Sequence, residues 1–145
     1  MIKLKPVTKE NLNAVLALKV KDGQQGFVST TAESLAQAYV CPETAFPFAV
    51  CHDQDTVGFI MMGYYEEKRY YTLWKLMIDG KHQNMGYGRQ ALQLGIGFLK
   101  ERFHVSEVYT GVVPGNTAAK TLYRSAGFTE TGVVENNMEE LRLKC

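Results

Sequence analysis

The chain has 145 residues, 46% of them hydrophobic and 21% charged, the balance of one soluble domain that can bury a single core. Its 16 Lys and Arg stand against 15 Asp and Glu, and a net charge of +1 argues against a dedicated nucleic-acid binder. Cys41, Cys51 and Cys145 form no CxxC pair, the N-terminus lacks the apolar run of a signal peptide, and no stretch is long and apolar enough to span a membrane. Reduced thiols, a cytoplasmic location and no membrane partner are the expectation.

In chain order, Ile2, Leu4 and Pro6-Val7 alternate with lysines and predict a first strand. Thr8 suits the N-cap of a helix running to Leu18, with Leu12, Val15, Leu16 and Ala17 mostly on one face. Residues 21–26 read as a loop. Thr31 can cap a second helix reaching Tyr39, with Glu33 in its first turn, and Cys41-Pro42 stops it. Residues 46–51, 56–65 and 70–78 predict three strands of an antiparallel meander, joined by polar turns. A polar loop over 79–84 leads into a long helix over 86–103, with Leu92, Ile96 and Leu99 at helical spacing. A strand over 105–113 precedes a short helix over 117–126, which Gly127 can cap. Strands 128–134 and 138–143 flank a turn at Asn136-Asn137. The order β-α-α-β-β-β-α-β-α-β-β is that of an α+β layer architecture around one sheet.

Two segments carry chemistry. Gln83-Asn84-Met85-Gly86-Tyr87-Gly88-Arg89 joins a predicted strand to a predicted helix. Gly86 and Gly88 let the backbone approach a ligand without Cβ interference. The first helical N–H groups have no intrahelical partners, and the helix dipole adds positive charge, so the junction suits a phosphate. No Gly-Lys-Ser/Thr follows, and the third glycine of the dinucleotide fingerprint is missing, which excludes the common nucleotide loops. Taken alone, the loop reads equally as a glycine-rich helix start. In the second segment, Asn116 lies at a strand–helix junction, where its carboxamide can cap the helix or bind a ligand. Ala119 and Tyr123 are four apart and share a helix face, which leaves room for a slender ligand arm beside a tyrosine hydroxyl. In isolation, Tyr123 reads as a packed core aromatic.

Together the segments resemble the GNAT superfamily of N-acetyltransferases. Its Gln/Arg-x-x-Gly-x-Gly/Ala signature is met by Gln83, Gly86 and Gly88. Its Asn-x-x-Ala-x-x-Leu-Tyr-x-x-x-Gly-Phe element is met by Asn116, Ala119, Leu122, Tyr123, Gly127 and Phe128. The resemblance implies the GNAT fold over a single domain, residues 1–145: one mixed, mostly antiparallel sheet with helices on both faces and splayed central strands. It implies acetyl-CoA as co-substrate, in a cleft between the strand ending at Ile78 and the strand ending at Val113. The backbone of Met77 and Ile78 would pair with the pantetheine, and Gln83, Asn84, Met85, Gly86, Tyr87, Gly88 and Arg89 would hold the pyrophosphate. Asn116 and Ala119 would flank the pantetheine. Tyr123 would protonate the departing thiolate, and the Ile78 N–H would polarise the thioester oxygen.

On the acceptor side, Asp22, Glu33, Glu66 and Trp74 are the candidate substrate contacts, since acids and aromatic faces attract a cationic amine. Residues 27–29 and 33–39 also resemble small bacterial spermine/spermidine acetyltransferases. A polyamine such as spermine or spermidine is therefore the leading acceptor. The alternatives are an aminoglycoside, a protein or peptide amine, or a non-catalytic acyl-CoA-binding module. Several polyamine-acetylating relatives carry an acid where this chain has Trp74, which leaves the base unassigned among Glu66, Glu67, Asp79 and water. His52, His82 and His104 lack metal-ligand spacing, so no metal is expected. Homodimers are common in the superfamily.

Overall fold

The computed structural model describes residues 1–24 and 30–145. Segment 27–29 of the acceptor-side resemblance lies outside the described residues, as does the end of the 21–26 loop. β-Branched, aromatic and Met-rich runs build the centre of the sheet. β2 (Ala45–His52), β3 (Asp55–Tyr65) and β4 (Tyr70–Ile78) form the antiparallel meander, and β1 (Ile2–Pro6) pairs antiparallel with β2. β3 is apolar and buried over residues 57–63 because both its faces are covered there. Its Phe59 and Met61 pack with Val15 and Leu18 on one side, while Ile60 and Met62 pack with Leu92 and Leu99 on the other.

The first side is roofed by α1 (Leu12–Leu16) and α2 (Thr31–Val40). The second is roofed by α3 (Tyr87–Phe103) and α4 (Thr117–Ser125). β5 (Glu107–Val112) runs parallel to β4. β7 (Met138–Lys144) lies between β5 and β6 (Thr129–Glu135), giving the order β1-β2-β3-β4-β5-β7-β6. The chain thus forms the α+β sheet with helices on both faces that the motifs imply.

Two helix starts differ from expectation. Asn11, not Thr8, is the N-cap residue of α1, which is only five residues long. The Asn11 carboxamide turns backwards, accepting from Thr8 N at 2.8 Å and donating to the Pro6 carbonyl at 2.9 Å. Thr30, not Thr31, caps α2, its Oγ1 accepting from Glu33 N at 3.1 Å and donating to the Glu33 carboxylate. Thr31 is buried, and its hydroxyl donates to Val15 O at 3.0 Å, tying α2 to α1. Two adjacent threonines are equal cap candidates in sequence. The one facing solvent caps, and the one facing the core becomes a tether.

The feature that positions the site is a bulge. Met61 lies opposite Lys75 and Met62 opposite Leu73, so Trp74 is an extra residue on β4. Gly63 makes room for it, since a Cβ there would come within 2.6 Å of the indole. β4 and β5 pair only at Thr72–Tyr109 and Leu73–Thr110 and part beyond the bulge. Two hydroxyls fasten the vertex: Thr72 Oγ1 donates to Tyr109 O at 2.9 Å, and Thr110 Oγ1 donates to Leu73 O at 3.0 Å.

Candidate active site

The gap between β4 and β5 opens into a cleft of about 510 Å3, walled by the end of β4, the loop before α3, and the starts of α3 and α4. Asp79 organises its near rim. The carboxylate is buried, and its oxygens accept from Lys19 N at 3.1 Å and Lys81 N at 3.0 Å. Burial alone would raise its pKa, but those backbone donors outweigh it and hold the group below its ordinary value. With both oxygens engaged, Asp79 braces the loop and is poorly placed to serve as a base.

Gln83 is a second brace. Its Nε2 donates to Ile78 O and to Gln24 Oε1, each at 3.0 Å, and Gln24 Nε2 returns a bond at 3.3 Å. This amide pair joins residues 59 positions apart and seals one end of the cleft. Gly86 then occupies a left-handed conformation (φ 80°) as the N-cap of α3. The N–H groups of Tyr87, Gly88 and Arg89 precede the bond from Gln90 N to Gly86 O at 3.2 Å, so they are available to an anion. Asn84 is also left-handed (φ 64°). Tyr87 stacks on His52 with centroids 5.0 Å apart. The Arg89 guanidinium lies 3.5 Å from Ser125 O, at the exposed rim.

Gln83, Asn84, Gly86, Tyr87, Gly88 and Arg89 all line the cleft; Met85 does not, and its side chain is exposed. Met77 and Ile78 line it too, with opposite backbone orientations. Asp79 N donates across to Val57 O at 2.8 Å, so alternation turns the Met77 peptide groups towards β3 and those of Leu76 and Ile78 towards the open gap.

On the far wall, Asn116 Oδ1 accepts from Ala119 N at 3.3 Å as the cap of α4, leaving its amide NH2 as the group that can donate to a ligand. Ala119 and Tyr123 line the cleft one turn apart. Gly127 (φ 104°) ends α4, and Phe128 N bonds back to Tyr123 O at 3.0 Å, which fixes the helix end carrying the tyrosine. Tyr123 is buried against Phe128. Burial pushes its phenol up to about 12, partly opposed by the neighbouring Thr110 hydroxyl. The group is protonated at neutral pH and can act as a proton donor.

The four acceptor-side candidates are not brought together. Asp22, Glu33 and Glu66 are exposed, Glu33 serving the α2 cap, and none lines the cleft. Trp74 alone borders a cavity, a separate one described below. Sequence reasoning also passed over Gln24, Leu76 and Thr110. Strand alternation beyond the bulge could have singled out Leu76. Nothing local marks Gln24 or Thr110.

A model of the acetyltransferase (GNAT) family matches residues 15–128. The chain is 30% identical over 149 residues to the spermine/spermidine N(1)-acetyltransferase of Bacillus subtilis (strain 168), covering 99% of this chain and 97% of that one. Its fold is similar to that of the spermidine N-acetyltransferase from Vibrio cholerae in complex with CoA and spermine (TM-score 0.79, 15% identity, 99% of this chain and 95% of that chain). It is also similar to the PaiA N-acetyltransferase from Thermoplasma acidophilum in complex with coenzyme A (TM-score 0.76, 14% identity, 100% and 99%). The chain belongs to the GNAT acetyltransferase family. It is an acetyl-CoA-dependent N-acetyltransferase, and acetyl-CoA is its co-substrate. Among the described residues no helix is long and apolar enough to cross a membrane.

Proposed function

We propose that the protein transfers the acetyl group of acetyl-CoA to a primary amine of a polyamine such as spermine or spermidine. The observation that carries this reading is the nearly end-to-end likeness to a spermine/spermidine acetyltransferase, at 30% identity. In this reading the free N–H groups of Tyr87, Gly88 and Arg89 hold the pyrophosphate, with the Arg89 side chain at its edge. The pantetheine lies along the open edge of β4, against Leu76, Ile78, Asn116 and Ala119. The Ile78 N–H points into the gap and stabilises charge on the thioester oxygen.

The amine nitrogen attacks the thioester carbon, the carbon–sulfur bond breaks, and Tyr123 gives its proton to the departing thiolate. Removal of the ammonium proton falls to water, since Trp74 takes the place of a strand carboxylate and both Asp79 oxygens are engaged. A cytoplasmic setting goes with this reading.

A panel of polyamines, aminoglycosides and peptides, assayed for acetyl-CoA-dependent thiol release, tests it. Polyamines are expected to give the highest kcat/KM. Preference for an aminoglycoside or a peptide would overturn the acceptor assignment. Tight acetyl-CoA binding with no turnover of any amine would point to a non-catalytic acyl-CoA-binding module.

A further inference from the structure

An acyl arm lying in the cleft fills one approach to the β4–β5 vertex, so the amine needs another. A second cavity of about 210 Å3 adjoins the vertex, walled by Leu73 and Trp74 of β4, Thr110 and Gly111 of β5, and the β6–β7 hairpin. It opens on the sheet face opposite α3 and α4, because Leu141 packs into the core beneath those helices and its neighbour Glu140 alternates to the other side. Thr110 links the two spaces. It lines this cavity, its hydroxyl donates to Leu73 O, and it neighbours Tyr123, which lines the first cleft.

The cavity already seats an ammonium. Lys68, in the β3–β4 turn, places Nζ 2.9 Å from Glu135 Oε2 and 3.3 Å from Glu140 Oε2. Glu140 is held in place from three directions, with Tyr70 OH donating to Oε2 and Thr131 Oγ1 donating to Oε1, each at 2.9 Å. The Glu140 side chain is only 14% exposed, whereas that of Lys68 is 28% exposed, on a stem with four rotatable carbons. The carboxylate is therefore the fixed partner and the ammonium the replaceable one. Two carboxylates against one lysine leave an excess negative charge. The Tyr70 ring, stacked on Tyr109 at 3.9 Å, adds an aromatic wall.

We propose that this cavity is the acceptor's second-cation subsite: one ammonium of a di- or polycationic amine displaces Lys68 from Glu140 and Glu135, while another amine of the same molecule reaches the vertex at Leu73 and Thr110. The inference rests on the polyamine reading and deepens it. Lys68 is then a resident competitor that discriminates against monoamines, which carry no second charge to replace it.

The test is steady-state kinetics with spermidine and with butylamine. Lys68→Met is expected to lower KM for spermidine several-fold, because the resident cation is gone. Glu140→Gln is expected to raise it about tenfold or more, the scale of one charge-assisted hydrogen bond. Glu135→Gln, at a more exposed carboxylate, should raise it by less and guards against misfolding of the Glu140 variant. KM for acetyl-CoA should hold throughout, and butylamine should respond to none of the three. Unchanged spermidine KM in folded Lys68→Met and Glu140→Gln would overturn the subsite while leaving the polyamine reading intact. Should the parent enzyme acetylate no polyamine, calorimetry of spermidine on the CoA-loaded protein separates the two claims. Binding lost in Glu140→Gln keeps the subsite and removes the functional reading; no binding removes both.

Discussion

Replacing Tyr123 by Phe deletes one oxygen at the point where cleft, helix end and vertex meet. The ring stays buried against Phe128, so the core loses no volume. Thr110 keeps its bond to Leu73 O, so the vertex keeps its fastening, and the stability cost is the scale of one hydrogen bond, about 1 kcal/mol. The kinetic cost is larger, because a positioned general acid contributes roughly 100-fold or more to turnover. We therefore expect kcat for spermidine to fall by about that factor while acetyl-CoA affinity stays within a few-fold of the parent. The shifted phenol adds a second signature. Its folded value of about 12 lies above the ordinary 10, so the stability it confers is intact below pH 10 and declines between pH 10 and about 12. That decline amounts to about 3 kcal/mol and is absent from the Phe variant. Thiol release under saturating substrates, calorimetry with acetyl-CoA, and urea titrations at rising pH measure the three quantities. A Phe variant that turns over within about threefold of the parent would remove Tyr123 from the proton transfer.

Gly86→Val should weaken acetyl-CoA binding at least tenfold by calorimetry, because a β-branched residue at φ 80° strains the turn by roughly 1–2 kcal/mol and crowds the anion seat. Normal affinity there would contradict the loop assignment. Gly63→Ala should displace the indole of Trp74, the chain's one tryptophan, shifting its fluorescence and costing about 1–3 kcal/mol in urea titration. An unmoved emission spectrum would refute the packing argument. Thr110→Val should cost about 1–3 kcal/mol and lower kcat, and Thr110→Ser should restore both; full activity in the Val variant would mean that the Thr110 hydroxyl does not position Tyr123.

Much of the proposed cofactor half of the site is legible in the chain because its determinants are local. The left-handed turn at Gly86, the Asn116 cap and the Gly127 stop each act within a few residues of the side chains they place. Cap choice shows the limit of local reading. Thr30 and Thr31 are equivalent until the packing of α2 on α1 buries one of them. The proposed acceptor half is less legible still. Asp22, Glu33 and Glu66 have suitable chemistry but sit on separate exposed segments, whereas Lys68 and Glu140 meet across 72 positions of sequence.

By itself the sequence determined the order of elements, the apolar strands and helix stripes, and the two motif segments, since periodicity, glycine conformations and caps are short-range properties of the chain. Only the tertiary structure decided that β7 lies between β5 and β6, that the extra residue of the bulge is Trp74, and that β4 and β5 part beyond Leu73 and Thr110. Those features depend on pairing between strands far apart in the chain. Register is set by which faces can be buried together, and the split sheet exists only once that pairing has run out.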